Sequence, residues 1–200
     1  MPKASSTHAE RTKRFFKDAF ISLVHEKGFS AVTVKDIVER AEYNRTTFYL
    51  YYKDKFDLVD ELFQEMSESI QFHSISKYKQ NNNVAVWELN KNSFELLYFI
   101  YDQRHYFKLL CVADTIPHIH TQLPNALYHV LTKQFEITYN FSDINDEAQK
   151  RYMAYGTAGI IIDWIHSDFQ QSPADVTNQL IQILHSFAKG FLISDPITKP

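Results

Sequence analysis

Residues 33–58 read TVKDIVERAEYNRTTFYLYYKDKFDL, and this stretch decides the fold of the N-terminal part of the chain. Thr33 and Asp36 have the spacing of a capping box, in which a hydroxyl and a carboxylate bond the free N–H groups at a helix start. Four apolar residues then share one face of a short helix: Val34, Ile37, Val38 and Ala41. Asn44 has a side-chain oxygen suited to cap a further helix over residues 45–52. The stretch therefore predicts two short helices joined by a tight turn.

A longer helix is predicted on each side of this pair. Upstream, Gly28 is placed to end a helix over residues 9–27 in a left-handed cap. The buried face of that helix is predicted to be Phe16, Ala19, Phe20, Leu23 and Val24. Downstream, Asp54 can cap a helix that links two domains. Its buried stripe is predicted to be Leu58, Leu62, Met66 and Ile70.

The rest of the chain has helical apolar spacing almost throughout, and it contains few glycines and prolines, four and six in the whole sequence. The further helices are predicted over residues 87–101, 105–113, 125–139 and 147–167, and from Ser172-Pro173 along an apolar stripe to Phe191. A loop is predicted between Pro117 and Pro124. We therefore expect an all-α protein with a three-helix helix-turn-helix domain over residues 1–55 and a bundle of about six helices over residues 56–200.

Charge is divided unevenly between these two parts. The chain has a net charge of −3, but residues 1–55 carry 11 Lys and Arg against 7 Asp and Glu, and the remainder carries 10 against 17. This division indicates that only the N-terminal part faces a polyanion.

Other features of the composition exclude several classes of protein. Cys111 is the only cysteine, so an intrachain disulfide is excluded, and its apolar neighbours predict a buried small hydrophobe. No segment approaches the roughly 20 apolar residues of a membrane span. Residues 1–8 lack the apolar stretch of a signal peptide. We therefore expect a cytoplasmic protein.

The helix predicted after Asn44 has the residue types of a DNA-reading helix. Arg45 and Thr46 fall in its first turn, where base contacts concentrate, because arginine bonds guanine bidentately and the threonine methyl can meet thymine. Hydroxyls and one ammonium suited to phosphate oxygens are predicted at Thr33, Thr47, Tyr49, Tyr51 and Lys55. Phe48 and Tyr52 are expected in the core. The alternative for Arg45 is a merely solvated charge.

Residues 41–58 resemble the signature of the tetracycline-repressor (TetR) family of transcription regulators. The matching residues are Ala41, Thr47, Phe48, Tyr49, Tyr51, Lys55 and Leu58, with similar residues at Asn44, Tyr52 and Asp54. Glu42 stands where the family usually has glycine, so we expect a left-handed or altered turn there. Tyr43 replaces a small aliphatic residue and is expected either to protrude toward DNA or to repack the turn.

The resemblance implies a homodimer on a palindromic operator, with a small-molecule effector bound in the C-terminal bundle and pairing through the last two helices. Small and apolar residues that could form the dimer interface are Gly156, Gly159, Ile160, Trp164, Leu180, Leu184 and Phe187. Aromatic residues that would suit an apolar or aromatic effector are Phe94, Tyr98, Tyr101 and Phe107, although core packing explains them equally well. The acid excess of this part slightly favours a cationic effector.

Two other functions remain open from the sequence. His118 and His120, with His105 and His129 elsewhere in the chain, could bind a metal in a small all-α enzyme, but no third ligand has a fixed spacing, so an exposed loop is expected instead. The second alternative is an activator or accessory regulator of the same fold that acts through a protein partner. No catalytic residue, cofactor or metal site is predicted.

Overall fold

Nine α-helices and three short strands make up the described part of the chain, residues 3–194 of a computed structural model. The helices are α1 (Lys3–Lys27), α2 (Val34–Arg40), α3 (Arg45–Tyr49), α4 (Lys55–Ile75), α5 (Glu95–Asp102), α6 (Arg104–Phe107), α7 (Ile119–Gln134), α8 (Asp146–His166) and α9 (Pro173–Phe187). The strands are β1 (Asn83–Ala85), β2 (Phe135–Tyr139) and β3 (Ala188–Ile193). The all-α fold class is confirmed, since the strands are a minor addition. Residues 1, 2 and 195–200 lie outside the described residues, including the start of the N-terminal segment discussed above.

The chain divides into two compact units. The first unit contains the chain up to Gln64 together with Lys108–Ile119, and the second contains Glu65–Phe107 and the chain from His120 onward. A segment that lies between two parts of the second unit in sequence therefore belongs to the first unit in space.

The first unit is built on the predicted face of α1. All five residues of that face are buried, α1 packs against α2, and Phe16 of α1 contacts Phe48 of α3. The side chains with least exposure in this core are Phe16, Phe20, Val24, Ile37, Phe48 and Leu58. Gly28 ends α1 at φ +81°, which confirms the predicted left-handed cap.

The second unit contains an antiparallel sheet in the order β1-β3-β2, which the sequence patterning missed. Phe191 pairs with Val84 on one side and with Ile137 on the other, and it joins a buried cluster with Ile75 and Val130. The predicted helix over residues 125–139 and the helical stripe to Phe191 were therefore partly wrong. Their last segments pair with one another as strands, because the sheet gives their apolar side chains a common core.

Gly190 in β3 shows how closely these strands approach. A Cβ atom at this position would lie 2.7 Å from the Val84 carbonyl oxygen. Glycine is required here by the neighbouring strand, which explains a residue that the helical interpretation left without a role.

Two further predicted segments have different boundaries in the structure. The loop between Pro117 and Pro124 is wrong, since α7 begins at Ile119 and includes Pro124. Proline has no N–H group, so Pro124 cannot donate a helical hydrogen bond. Burial of the neighbouring Leu123 and Leu127 offsets this loss. The helix over residues 87–101 is reduced to α5, because a turn precedes it. In that turn the Ser93 N–H donates to the Asn90 carbonyl at 2.8 Å.

The segment predicted as a helix over residues 105–113 is broken as well. It forms α6 and then a short 3-10 turn, Lys108–Cys111. Cys111 at the end of this turn is exposed, so the prediction of a buried cysteine was wrong. A tight turn leaves one side of its backbone uncovered, whatever the polarity of its neighbours in sequence.

The helix starts predicted for α8 and α9 agree with the structure to within one residue. The Asn145 Oδ1 accepts from the Ala148 N–H at 3.0 Å, and α8 begins one residue later than this cap. Ser172 and Asp175 form a complete capping box around Pro173, the first residue of α9.

Candidate nucleic-acid interface and cavity

The start of α2 is held by the predicted capping box. The Thr33 hydroxyl donates to Asp36 Oδ2 at 2.6 Å, and the Asp36 N–H donates to Thr33 Oγ1 at 3.3 Å. Lys27 lies 2.8 Å from the same carboxylate. The hydrogen bond from Lys27, followed by those from Thr33, holds the pKa of Asp36 well below its usual range. Thr33 is thus fixed at an exposed helix N-terminus, a position that suits a phosphate oxygen.

The start of α3 is held by Asn44, as predicted. Its Oδ1 accepts from the Thr47 N–H at 2.7 Å and from the Thr47 hydroxyl at 2.9 Å. Arg45 and Thr46 are exposed in the first turn, next to this cap. The structure therefore presents the two predicted base-reading residues on a rigid helix start, with the Thr47 hydroxyl engaged in the cap.

Phe48 anchors α3 in the core of the first unit. Its ring lies 5.3 Å from Phe16 and 5.4 Å from Tyr52, and both of these rings are buried. Tyr49 packs edge-on against Phe48 at 5.7 Å and is more than half exposed. The core positions predicted for Phe48 and Tyr52 are confirmed. The helix is shorter than predicted, so the half-buried Tyr51 follows it in a turn.

The turn between α2 and α3 contains both departures from the family pattern. Glu42 has φ +60°, which confirms the expected left-handed conformation. The Tyr43 ring lies 5.2 Å from Phe16 and 6.2 Å from Phe15. The tyrosine therefore packs the turn against α1.

We expect Glu42→Gly to be more stable than Glu42→Ala by about 1 kcal/mol in free energy of unfolding. Both variants remove the charge, but only glycine adopts a positive φ without a steric penalty, so the comparison isolates backbone strain. Urea unfolding of the two variants measures the difference. Equal stabilities would show that the turn relaxes when its side chain is shortened.

Lys55, at the start of α4, binds the backbone of the loop between α1 and α2. Its ammonium donates to the carbonyls of Phe29 and Val32, each at 2.9 Å, and it lies 4.3 Å from the centre of the Phe29 ring. The loop between α1 and α2 is thus tied to α4 through its carbonyl groups.

The same loop is held from its N–H side by Asp114, which sequence reasoning missed. The Ser30 N–H and hydroxyl each donate to the Asp114 carboxylate at 2.9 Å, and the Phe29 N–H donates to the Asp114 carbonyl at 2.7 Å. A Cβ on Gly28 would lie 2.9 Å from the Asp114 Cβ. Asp114 is 84 residues from Ser30 in sequence, so no local pattern indicates this contact.

A second contact that the sequence did not reveal joins α1 to α4. Glu61 accepts from Lys13 at 2.6 Å, from the buried Lys17 at 2.9 Å and from the Tyr52 hydroxyl at 3.1 Å. Burial raises the pKa of Glu61, but the hydrogen bonds and charges of the two lysines together lower it by more. The pKa of Glu61 is therefore below its usual value. The spacing of Lys13 and Lys17, one helical turn apart, is the only local signal of this site.

We expect Glu61→Gln to lower the free energy of unfolding at pH 7 by about 1–2 kcal/mol, because Lys17 loses its carboxylate partner in a buried position. A lowered folded-state pKa stabilises the protein above the unfolded value, about 4.3 for glutamate, and this contribution is lost as pH falls through the folded pKa. The difference between the two proteins should therefore shrink in urea unfolding series below about pH 4. A difference independent of pH would contradict the ionic assignment.

An apolar cavity of about 220 Å³ lies inside the second unit. Its walls come from the end of α4, from α5, α7, α8 and α9, and from β2 and β3. The polar side chains in the lining are Ser74, Tyr78, Tyr152 and Thr157. Among the described residues, 3–194, no acidic side chain lines the cavity, so the lining does not favour the cationic effector that the acid excess of this part of the chain suggested.

The four residues predicted for the pocket are not brought together. Phe94 lines the cavity. The Tyr98 hydroxyl donates to the Lys91 carbonyl at 3.2 Å, and Tyr101 lies 6.4 Å from Trp164. Phe107 is buried 6.1 Å from Phe99. The aromatic run in the sequence is thus divided between cavity wall and core.

Most residues predicted for the dimer interface line the same cavity, namely Gly156, Ile160, Leu180, Leu184 and Phe187. Gly159 is exposed, and a Cβ on it or on Gly156 would meet nothing within 4 Å. Trp164 is buried, with its Nε1 donating to the Gln171 carbonyl at 2.8 Å. Trp164 therefore supports the end of α8 from within the chain.

The histidines considered as metal ligands are exposed, and His120 lies in α7. Between residues 3 and 194, no three His, Cys, Asp or Glu side chains group in a way that could hold a metal ion. No helix in this range has the length and apolar character needed to cross a membrane.

Comparisons with known proteins agree with these features. The profile described as "Bacterial regulatory proteins, tetR family" matches residues 18–62, and the profile described as "Transcriptional regulator C-terminal region" matches residues 88–186. The uncharacterized HTH-type transcriptional regulator YxbF of Bacillus subtilis is 22% identical over 169 residues, 84% of this chain and 43% of the relative. The chain thus spans less than half the length of this curated relative.

Solved structures share the fold. A TetR transcriptional regulator from Streptococcus agalactiae has a TM-score of 0.60 at 20% identity, covering 90% of this chain and 97% of that one. The regulator FadR from Bacillus subtilis, in complex with stearoyl-CoA, has a TM-score of 0.50 at 19% identity, covering 86% and 96%. With the capped helix-turn-helix, the anchored α3 and the two matched profiles, the chain belongs to the TetR family of bacterial transcription regulators.

Proposed function

We propose that this protein is a homodimeric, cytoplasmic regulator that binds a palindromic operator through α3 and is released by an apolar small molecule in the cavity of the second unit. The observation that carries the DNA-binding role is the exposed first turn of α3, capped by Asn44 and anchored by Phe48. Reading bases from a helix requires this kind of rigid start, because side-chain contacts lose specificity when the backbone moves.

The proposed DNA surface divides into base-reading and positioning residues. Arg45 and Thr46 read base edges in the major groove. Residues proposed to contact phosphates or to hold the surface in place are Thr33, Tyr43, Asn44, Thr47, Tyr49, Tyr51 and Lys55. Within this set, the contacts of Tyr43, Asn44 and Lys55 favour positioning, and the exposed Tyr49 hydroxyl favours a phosphate.

Gel retardation with fragments upstream of the protein's own gene tests this proposal. We expect a bound fragment whose affinity falls steeply with salt, since phosphate contacts release counterions. Arg45→Ala should weaken binding at least about tenfold, since one bidentate base contact contributes about 1–3 kcal/mol. Lys91→Ala, a change of an exposed cation in the second unit, is the matched control and should leave affinity unchanged. If no upstream fragment is retarded in a salt-dependent manner, the proposal fails.

A dimer follows from the small footprint of one such helix. A single α3 covers few base pairs, and a two-fold arrangement places two copies about 34 Å apart on one face of the duplex. The small and apolar residues that are exposed on α8 and α9, and that suit pairing, are Gly156, Gly159 and Ile183.

The effector is proposed to be mainly apolar, because nearly all of the cavity lining is aliphatic or aromatic. The stearoyl-CoA complex of FadR, which has a similar fold, supports acyl compounds as the first class to screen. A compound at 100 times its Kd should stabilise the fold by about 2.7 kcal/mol in a thermal-shift assay, and it should reverse retardation. Leu127→Trp, which fills the cavity from α7, should abolish the shift while leaving retardation intact.

A further inference from the structure

We propose that a second copy of this chain closes the mouth of the cavity, with the two α8 helices crossing antiparallel at the level of Thr157. This inference rests on the dimer of the proposed function and deepens it: it specifies the register of pairing and makes the partner part of the ligand site.

The mouth of the cavity lies on the outer faces of α8 and α9. Among the lining residues, the ones that remain well exposed are Tyr152, Gly156 and Ile183, with Tyr152 at 71% and Ile183 at 45%. The lining from α5, α7 and the sheet is buried or half-buried. A ligand in this unit would therefore touch solvent on the side of the cavity formed by α8 and α9, and apolar surface of that kind is costly to leave uncovered.

The outer face of α8 is complementary to itself. Tyr155 is 50% exposed, and Gly159 lies one turn further along with open space where a side chain would be. In an antiparallel pair, residues at equal distances on either side of the crossing point face each other. A crossing at Thr157 therefore sets Tyr155 against the partner's Gly159, an aromatic ring against a vacant position.

The same register pairs opposite charges. Arg151 and Asp163 are exposed on α8 and lie six residues before and after Thr157. Arg151 keeps its place beside Tyr128, whose ring centre is 4.5 Å away, and bonds Glu147 at 3.3 Å. The crossing sets Arg151 against the partner's Asp163, and two-fold symmetry forms this ion pair twice. Steric and electrostatic complementarity thus select one register.

Closure by the partner links ligand exchange to the dimer. With the mouth covered, an apolar ligand leaves only when the pair opens or separates, so its dissociation is slower from the dimer than from the monomer. In the dimer, each subunit therefore forms part of the wall of the other subunit's ligand site.

Charge reversal tests the register. We expect Arg151→Glu and Asp163→Arg each to raise the dimer Kd at least about tenfold in sedimentation equilibrium, because each places like charges together twice per dimer. The double variant R151E/D163R should return the Kd to within about threefold of the unmodified chain, since it restores both pairs in reverse. Unchanged single variants, or a double variant as weak as the singles, would overturn the register.

Cross-linking gives a second measurement, in a Cys111→Ser background. The pair Tyr155→Cys with Gly159→Cys should form an interchain disulfide under mild oxidation. Each single cysteine should not, because its own copy in the partner lies about four residues away along the helix. Equal cross-linking by all three variants would contradict the crossing at Thr157.

Closure of the mouth is tested with Nile red, an apolar dye. Its release should be at least tenfold slower from the dimer than from the dissociated Arg151→Glu variant at the same dye occupancy. Equal release rates would overturn closure by the partner. An unmodified dimer that binds DNA but fails these tests would contradict only this inference, whereas a monomer that retards no fragment would contradict the proposed function itself.

Discussion

Replacing Phe48 by alanine should lower the free energy of unfolding by about 3–5 kcal/mol, the range for truncating a fully buried aromatic side chain. Phe48 has 0% exposure, and three rings pack against it, those of Phe16, Tyr49 and Tyr52. Phe48 is the residue that fixes α3 to α1. We therefore also expect the variant to bind DNA more weakly than the unmodified chain in buffer without urea, where the variant is still folded.

The position of the two tryptophans allows unfolding of the first unit to be measured separately from unfolding of the second. Trp87 and Trp164 both lie in the second unit. Urea titrations should show an early loss of helical circular dichroism in Phe48→Ala, with tryptophan fluorescence following the unmodified chain. Phe141→Ala is the matched control, since Phe141 is 72% exposed and its truncation should change stability by less than about 0.5 kcal/mol. A loss below about 1 kcal/mol for Phe48→Ala would contradict the anchoring role.

Gly28→Ala is expected to destabilise the first unit by about 2–3 kcal/mol, through two separable causes. An alanine at φ +81° pays a left-handed backbone penalty of about 1–2 kcal/mol. Its Cβ would also lie 2.5 Å from Asp114 Oδ2 and 2.9 Å from the Asp114 Cβ, so the contact between Asp114 and the loop after α1 must open.

A double-mutant cycle with Asp114→Ala distinguishes these causes. Asp114→Ala alone removes the two hydrogen bonds to Ser30 and should cost about 1–2 kcal/mol. In that background, Gly28→Ala should cost less than in the unmodified chain, because the conflict with the carboxylate has gone and only the Cβ contact at 2.9 Å remains beside the backbone penalty. Strict additivity of the two substitutions in urea unfolding would show that the Asp114 carboxylate does not restrict position 28.

Helix starts in this chain were predictable because the groups that form them are close in sequence. Thr33, Asn44 and Ser172 each accept a hydrogen bond from an N–H three residues later, so the residue types alone indicate the contact. The buried face of α1 and the core position of Phe48 follow from periodicity for the same reason. The helix-turn-helix and its candidate base-reading residues could therefore be identified before the structure was known.

The C-terminal part was less predictable, because its apolar segments are equally compatible with a helix and a strand. β3 forms only because it can pair with β1 and β2, which lie about 100 and about 50 residues earlier in the chain. The aromatic run over residues 94–107 had the same ambiguity, and packing placed Phe94 in the cavity wall and Phe107 in the core.

The sequence by itself thus determined the all-α class, the caps and the surface of α3 that the proposed function assigns to DNA, since these depend on hydrogen bonds and periodicity within a few residues. Tertiary structure alone decided the small sheet, the mouth of the cavity and the contact of Asp114 with Ser30. Each of these joins residues far apart in the chain, and their energies exist only when the distant partner is in place.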